Sequence, residues 1–418
     1  ARGWLAGAAP QGALRDLRLI WDDVTHYQLH AQLAGIGWQP QEGIPALGGI
    51  SGDLDADGQA IRFQVEAGDW LMAAPNMLRA PFTPRVKGEI LAFNTEDGWR
   101  VDTPGLRLYE EHYDILLGGG VLFSPVEGVV LDLRADVASA PIVVAKRFWP
   151  INVMPSAAVK WLDAALVDGR VARGLTLVRG PIRHWPFKNA EGRFEAYAEL
   201  ENAHLNYLNA WPLGQSVNGV VTFINRAMDV DLSAEVAGVN VLKATGGISD
   251  FGDAILELDV QAEGTGPQLL DVLRKSPLND AYGAYLSHLE VGGRGTVSLG
   301  LHIPMEDHLG KPRVDGHIDI DRMDLSDGSL GLDFTSASGR LRFSERGFSA
   351  DELNVGFGDS IGALTVAVGD YTSRSEHLVE ASLRGRFPVR QLIEKHEPTQ
   401  LLLPWMSGVS DWAVTLNV

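Results

Sequence analysis

The chain has 418 residues, about three domains' worth, and its 45% hydrophobic, 21% charged composition with 47 glycines suits a folded, turn-rich protein rather than a disordered one. A formal net charge of −19 without any run of Lys or Arg repels a phosphate backbone and excludes nucleic acid as the expected partner. Lack of cysteine removes disulfide frameworks, zinc knuckles and thiol chemistry, and no apolar run reaches the ~20 residues of a membrane-spanning helix.

At the N-terminus, ARGWLAGAAPQG lacks the long apolar stretch of a signal peptide. Patterned sequence at both ends, Trp4-Leu5 and Trp412 to Val418, reads as a piece of a longer protein whose targeting signals lie elsewhere.

Strand signals then dominate. Leu29, Ala31 and Leu33 alternate with His30, Gln32 and Ala34; Val129, Leu131 and Leu133 with Val130, Asp132 and Arg134. Val230, Leu232, Ala234 and Val236 stand against Asp229, Asp231, Ser233 and Glu235, and Leu256, Leu258 and Val260 against Glu257, Asp259 and Gln261. Val297, Leu299, Leu301 and Ile303 follow, then Ile318 and Ile320 against His317, Asp319 and Asp321, and finally Trp412, Val414, Leu416 and Val418. A period of two with one apolar and one acidic face predicts antiparallel strands with one wet side. Asp57-Gly58, Asp97-Gly98, Asn218-Gly219, Asp327-Gly328 and Arg346-Gly347 supply turn chemistry between them.

Three times a proline opens a short amphipathic helix and another follows about ten to fourteen residues on: Pro141 and Pro155, Pro267 and Pro277, Pro388 and Pro398. Leu269, Leu270 and Leu273 share a helical face, as do Val389, Leu392 and Ile393. After Pro155, Val159, Leu162, Ala165 and Leu166 fall at helical spacing with Gly169 as the stop. A recurrence of about 120 residues predicts tandem units: a first over 1–140, helical pairs plus strands over 141–266 and 267–387, and the start of another over 388–418. So few helices cannot clothe on the order of twenty strands, so the apolar sheet face must be closed by another sheet, by rolling, or by a ligand.

Catalytic and metal signals are weak. Asp53, Asp55 and Asp57 before Gly58 start like a calcium loop, but Gln64 replaces the closing Glu and strand alternation explains the aspartates. His317, Asp319 and Asp321 share a strand face without a further ligand or second shell, and His302 and His308 flank Glu306-Asp307 without a nucleophile. Gly118-Gly119-Gly120 and Gly292-Gly293-Arg294-Gly295 lack the strand-to-helix setting of a phosphate cradle and read as bends or bulges. No cofactor is expected. Aromatic residues gather around the first helical pair, at Phe148-Trp149, Trp161, Trp185-Pro186-Phe187 and Trp211, where large rings fill helix–sheet corners.

From Phe148 to about Phe223 the order Trp149-Pro150, Trp161-Leu162, Gly169, Gly180, Pro186-Phe187, Gly192-Arg193-Phe194, Tyr207 and Trp211-Pro212 resembles the YhdP group of AsmA-like proteins, relatives of TamB. Trp4-Leu5 followed by Gly12 mirrors part of the pattern, and elsewhere the likeness is one of style, strands with glycine turns. The resemblance implies a periplasmic part of an envelope protein anchored in the inner membrane, whose twisted sheet curls into a groove passing phospholipid acyl chains toward the outer membrane. It implies no catalytic residues.

The expected fold is therefore mainly β: an extended, twisted antiparallel sheet curled into an open hydrophobic groove, with short helices at repeat boundaries. The expected function is non-enzymatic phospholipid transport between membranes that are reached through segments outside this chain. Leu29, Leu33, Leu131, Leu133, Val230, Leu232, Leu256, Leu258, Val260, Val297, Leu299, Leu301, Ile318, Ile320, Val414 and Leu416 are the expected lining. A structural or adhesive β-sandwich array is the main alternative; an outer-membrane barrel and a glycan-processing enzyme are weaker ones.

Overall fold

Alternating Leu, Val and Ile against Asp, Arg and Gln make strands of most of the chain, and Gly-containing turns connect them. The computed structural model describes residues 7–23, 26–40, 45–74, 78–149, 151, 156–208, 210–328, 332–374, 376–390, 401 and 404–417. Its 24 strands are assigned to one open antiparallel sheet, not to the two facing sheets of a sandwich, and among the described residues no pairing joins the first strand to the last. Contacts divide the chain into two units.

The first unit comprises Ala1–His204, Asn218–Val230 and Ile248–Ala254. In it β1 (Gln11–Trp21), β2 (Tyr27–Trp38), β3 (Ala46–Asp57) and β4 (Ala60–Asp69) form a meander, with β5 (Leu71–Ala73) added to β3. From β4 the ladder continues through β6 (Arg85–Thr95), β7 (Gly98–Glu110), β8 (Tyr113–Ser124) and β9 (Gly128–Val137). The short β10 (Ala140–Pro141) and β9 both pair with β11 (Leu166–Pro181). Next come β12 (Arg193–Leu205), β13 (Gly214–Ile224), β14 (Ala227–Val236) and β15 (Val239–Ile248), whose residues are shared out between the units.

The second unit comprises Leu205–Val217, Asp231–Gly247 and Ile255–Val418. Here β16 (Ile255–Thr265) pairs with β18 (Arg294–Pro304), and β17 (Leu289–Val291) and β18 with β19 (Arg313–Asp327). The meander runs on through β20 (Leu332–Ser344), β21 (Gly347–Phe357), β22 (Ser360–Gly369), β23 (Val379–Pro388) and β24 (Val409–Asn417). All seven alternating runs of the sequence are strands: they fall in β2, β9, β14, β16, β18, β19 and β24.

Helices are short: Ile142–Ala145, Ser156–Ala165, Gly266–Arg274 and Leu278–Leu286. The expected helix after Pro155 ends at Ala165, and Leu166 opens β11. Gly169 is thus no helix stop; it takes a φ of +111° inside β11, where a Cβ would stand 2.4 Å from the Ala203 Cα. Asn218-Gly219 likewise lies within β13 rather than in a turn, with the Asn218 Oδ1 accepting the Asn202 N–H at 3.0 Å. Asp57-Gly58, Asp97-Gly98 and Arg346-Gly347 do join consecutive strands. Pro155, the helix expected to carry Leu392 and Ile393, and Pro398 lie outside the described residues, as do Trp4-Leu5, Pro150 and Val418.

Apolar clusters form on one face of each unit. In the first, Ile50, Phe63, Val65, Trp70, Val86, Leu106 and Leu108 are buried together. In the second, Ile320, Met323, Phe334, Leu353, Val355, Phe357, Leu364 and Phe387 gather in one cluster, and Val239, Val241, Ala262 and Val297 in another.

Candidate functional site

Residues opposite one another on antiparallel strands share a face, so the register tells which side chains line up. In the first unit one row reads Leu29, Ala56, Ile61, Ala92, Val101, Val121, Leu131 and Gly180, without a polar side chain. A parallel row reads Leu33, Gly52, Val65, Gly88, Leu106, Leu117, Ala135 and Thr176, apolar except at its end. Leu29 and Leu131, like Leu33 and Leu133, thus belong to one apolar face although about 100 residues separate them in the chain. A cleft of ≈ 580 Å³ lined by Arg18, His30, Asp55, Arg62 and Leu91 among others lies at the same strands, mostly among residues of the opposite face.

In the second unit Leu256, Leu258, Val260 and Ala262 of β16 stand opposite Ile303, Leu301, Leu299 and Val297 of β18. One row crosses the unit as Gly264, Gly295, Ile320, Gly339, Leu353, Leu364, Leu383 and Val414. Leu416 faces Ala381 on the same side. The helices meet these faces at β11 in the first unit and at β16 and β17 in the second. Aromatic rings pack where helix and strand meet: Phe148 stands edge-on to Phe82 at 5.4 Å and to Tyr113 at 5.1 Å, and Trp185 to Phe187 at 5.6 Å. Burial alone pushes the Tyr207 hydroxyl up to about 12.

The opposite face, acidic in the sequence, is a field of ion pairs. His30, Asp55, Arg62, Leu91, Asp102, Gly120, Asp132 and Arg179 form one row there. His30 Nδ1 lies 2.8 Å from Asp55 Oδ1, Arg100 Nε lies 2.7 Å from Asp102, and Arg62 pairs with Glu89. In the second unit Arg340 Nε donates to Asp319 Oδ1 at 2.7 Å, and Arg342 pairs with Asp351. A hydrogen bond from Arg107 holds the Asp114 carboxyl below the usual carboxylate range, and Arg340 does the same for Asp319. Such surface pairs contribute little stability each, but they keep the strands' wet side hydrophilic.

This geometry accounts for the polar residues that the sequence singles out. Asp57 accepts the Gln59 and Ala60 N–H groups at 2.8 Å, and these bonds lower its pKa, so it caps its own hairpin turn. Asp319 is taken up by Arg340, His302 stands 3.4 Å from Glu257, and His308 pairs with Glu306 at 3.1 Å.

Of the expected lining, Leu256, Val297 and Ile320 are buried at 3%, 8% and 8% exposure. Leu29, Leu33, Leu131, Leu133, Val230, Leu232, Leu258, Val260, Leu299, Leu301 and Ile318 are half-buried, and Val414 and Leu416 are exposed at 44% and 39%. Sequence reasoning passed over Phe63 and Val65, though Ile61, Phe63 and Val65 alternate with Arg62, Gln64 and Glu66 as cleanly as any run. Leu106 and Leu108, and Leu353, Val355 and Phe357, were hidden by register shifts after Thr103 and after Ala350, where an irregularity breaks the period of two.

Taken together, strands with one apolar and one ion-paired face, in an open sheet with few helices, define an open-sheet β protein. The model of the YhdP protein family matches residues 1–418, and the chain belongs to that family. It is 23% identical over 350 residues to the intermembrane phospholipid transporter YhdP of Escherichia coli (strain K12), a match covering 81% of this chain and 26% of that protein. The chain thus spans about a quarter of the length of that relative. No solved structure matches it.

Proposed function

We propose that this chain carries phospholipid acyl chains along its apolar face, as a non-enzymatic part of an intermembrane transporter of the bacterial envelope. The observation that carries the reading is the row from Leu29 to Gly180, which crosses eight strands without a polar side chain while the face behind it carries ion pairs. A continuous apolar face of that make-up suits the acyl tail of an amphiphile. Family membership and the likeness to a phospholipid transporter support the same reading.

Exposing an acyl chain of about sixteen carbons to water costs on the order of 10 kcal/mol at roughly 0.8 kcal/mol per methylene. A continuous apolar lining removes most of that barrier, and sites of similar affinity let lipid step along it without a nucleotide or a chemical step. The headgroup stays in water and the lining does not read it. The chain is assigned to the periplasm, with anchoring in the inner membrane and delivery to the outer membrane left to segments outside it. The expected lining residues, from Leu29 to Leu416, are proposed to contact the acyl chains.

The test is uptake of an acyl-fluorescent phosphatidylethanolamine from vesicles by the purified chain. Wild type should take up the probe and Leu258→Asp should not, because an unpaired charge on the lining costs several kcal/mol to desolvate. Equal uptake by a folded Leu258→Asp variant would refute the role of this face.

A further inference from the structure

The helix Gly266–Arg274 lies on the apolar face of the second unit, and its Leu269 packs against both apolar clusters there. The seat beneath it is made of glycine. A methyl built on Gly264 would stand 3.4 Å from Leu269 Cδ2, and one built on Gly295 would stand 3.3 Å from Leu269 Cδ1. Val239, Ile318 and Met323 wall the seat, at 3.2, 3.1 and 2.8 Å from those same methyl positions. Gly264 and Gly295 are paired across β16 and β18, and Ile320 follows Gly295 in the row, so the seat lies within the face that the proposed function assigns to acyl chains.

The element holding Leu269 there is tied together and is held to the sheet at its exit by β17, which pairs with β19 over Leu289–Val291. Arg274 donates from Nη2 to the carbonyl oxygens of Leu286 and Leu289, at 2.6 and 2.9 Å, and so ties the helix Leu278–Leu286 to the first helix. Gln268 Oε1 accepts the Thr265 N–H at 2.8 Å at the start of that first helix. The base is closed by a hydrogen bond from the Gly266 N–H to the Gly293 carbonyl at 2.9 Å. Glycines flank both junctions, Gly264 and Gly266 on entry and Gly292 and Gly293 on exit, the last at a φ of +82°. Glycine at such positions lets the backbone rotate where other residues would resist.

We propose that the Gly264–Gly295 seat is an acyl-chain site and that Leu269 is its resident stopper, displaced by the lipid itself. The inference rests on the groove reading above. A methylene chain entering the seat replaces one apolar occupant by another over a floor and walls without polar side chains, so the seat itself is not left facing water. The first helix then lifts from the seat at its glycine entry as lipid passes, while β17 keeps the far end on β19, and reseats Leu269 behind it. Two glycines facing each other on neighbouring strands at this point, where alternation favours a large side chain, are what such a seat needs.

The chain has no native cysteine, so the pair Leu269→Cys and Gly295→Cys can be joined selectively by a short reducible bifunctional thiol reagent. The readout is exchange of bound acyl-fluorescent phosphatidylethanolamine with vesicles. Joining the pair should slow exchange severalfold and reductant should restore it, while each single cysteine variant treated alike stays at its untreated rate. Leu269→Ala, which shortens the stopper, should speed exchange. Exchange that is the same before and after joining, with lipid still bound, would overturn the stopper and leave the groove reading standing. A wild-type chain that binds no lipid at all would overturn both.

Discussion

Single residues on the apolar face serve either packing or contact with ligand, and exposure separates the two. Leu353 is 2% exposed and faces Gly339 and Leu364 across its neighbours. Leu353→Ala should therefore cost about 2–5 kcal/mol through lost burial and a residual cavity, read as a lower denaturant midpoint. Leu258, half-buried and opposite Leu301, tests contact with lipid rather than folding. Charge on the other face has its own signature. Arg340 holds the Asp319 pKa below its ordinary value, so the folded state binds its proton more weakly than the unfolded chain does. Stability from this pair is fully present above the unfolded Asp pKa of about 3.9 and is lost as pH falls through the lower folded value. Asp319→Asn should flatten that acid limb of the melting temperature against pH, by a small amount that shrinks with added salt, since the pair is half-exposed. Alternation made Leu256, Leu258, Val260, Val297 and Leu299 legible as one face, and the register pairs them across β16 and β18. Leu353 and its neighbours were illegible because the shift after Ala350 puts them out of phase with Phe348.

Whole strands were easier to read than their ends. The helix after Pro155 was overextended because a glycine with positive φ serves a helix stop and a kinked strand equally, and only the close approach to Ala203 decides for Gly169. Asn218-Gly219 failed as a turn for the same reason, its Asn side chain being spent on a backbone N–H of β12. Glycine is required in β8 too. Gly119 has a φ of +100°, and a Cβ there would lie 2.0 Å from the Asp132 carbonyl oxygen of β9. Gly119→Ala should separate β8 from β9 locally and destabilise the fold by roughly 1–3 kcal/mol. Gly328, which has open space around it, is the matched control: Gly328→Ala should leave the unfolding midpoint unchanged.

At the scale of the whole chain, one deduction from sequence led to the functional reading: more apolar strand surface than its few short helical stretches can cover. That surplus is visible in composition and alternation alone. The seat of Leu269 was not, because Gly264 and Gly295 meet only through the β16–β18 register, and neither was the division into two units, which cuts through β13 and β14 rather than falling at a proline. The 120-residue recurrence remains our proposal for how such surfaces are multiplied along the chain. The most direct measurement is native mass spectrometry of the chain purified from an envelope expressing it. Phospholipid adducts that survive purification, and vanish in Leu258→Asp, are the expected result; a wild-type spectrum holding only the lipid-free mass would contradict an apolar face built to carry lipid.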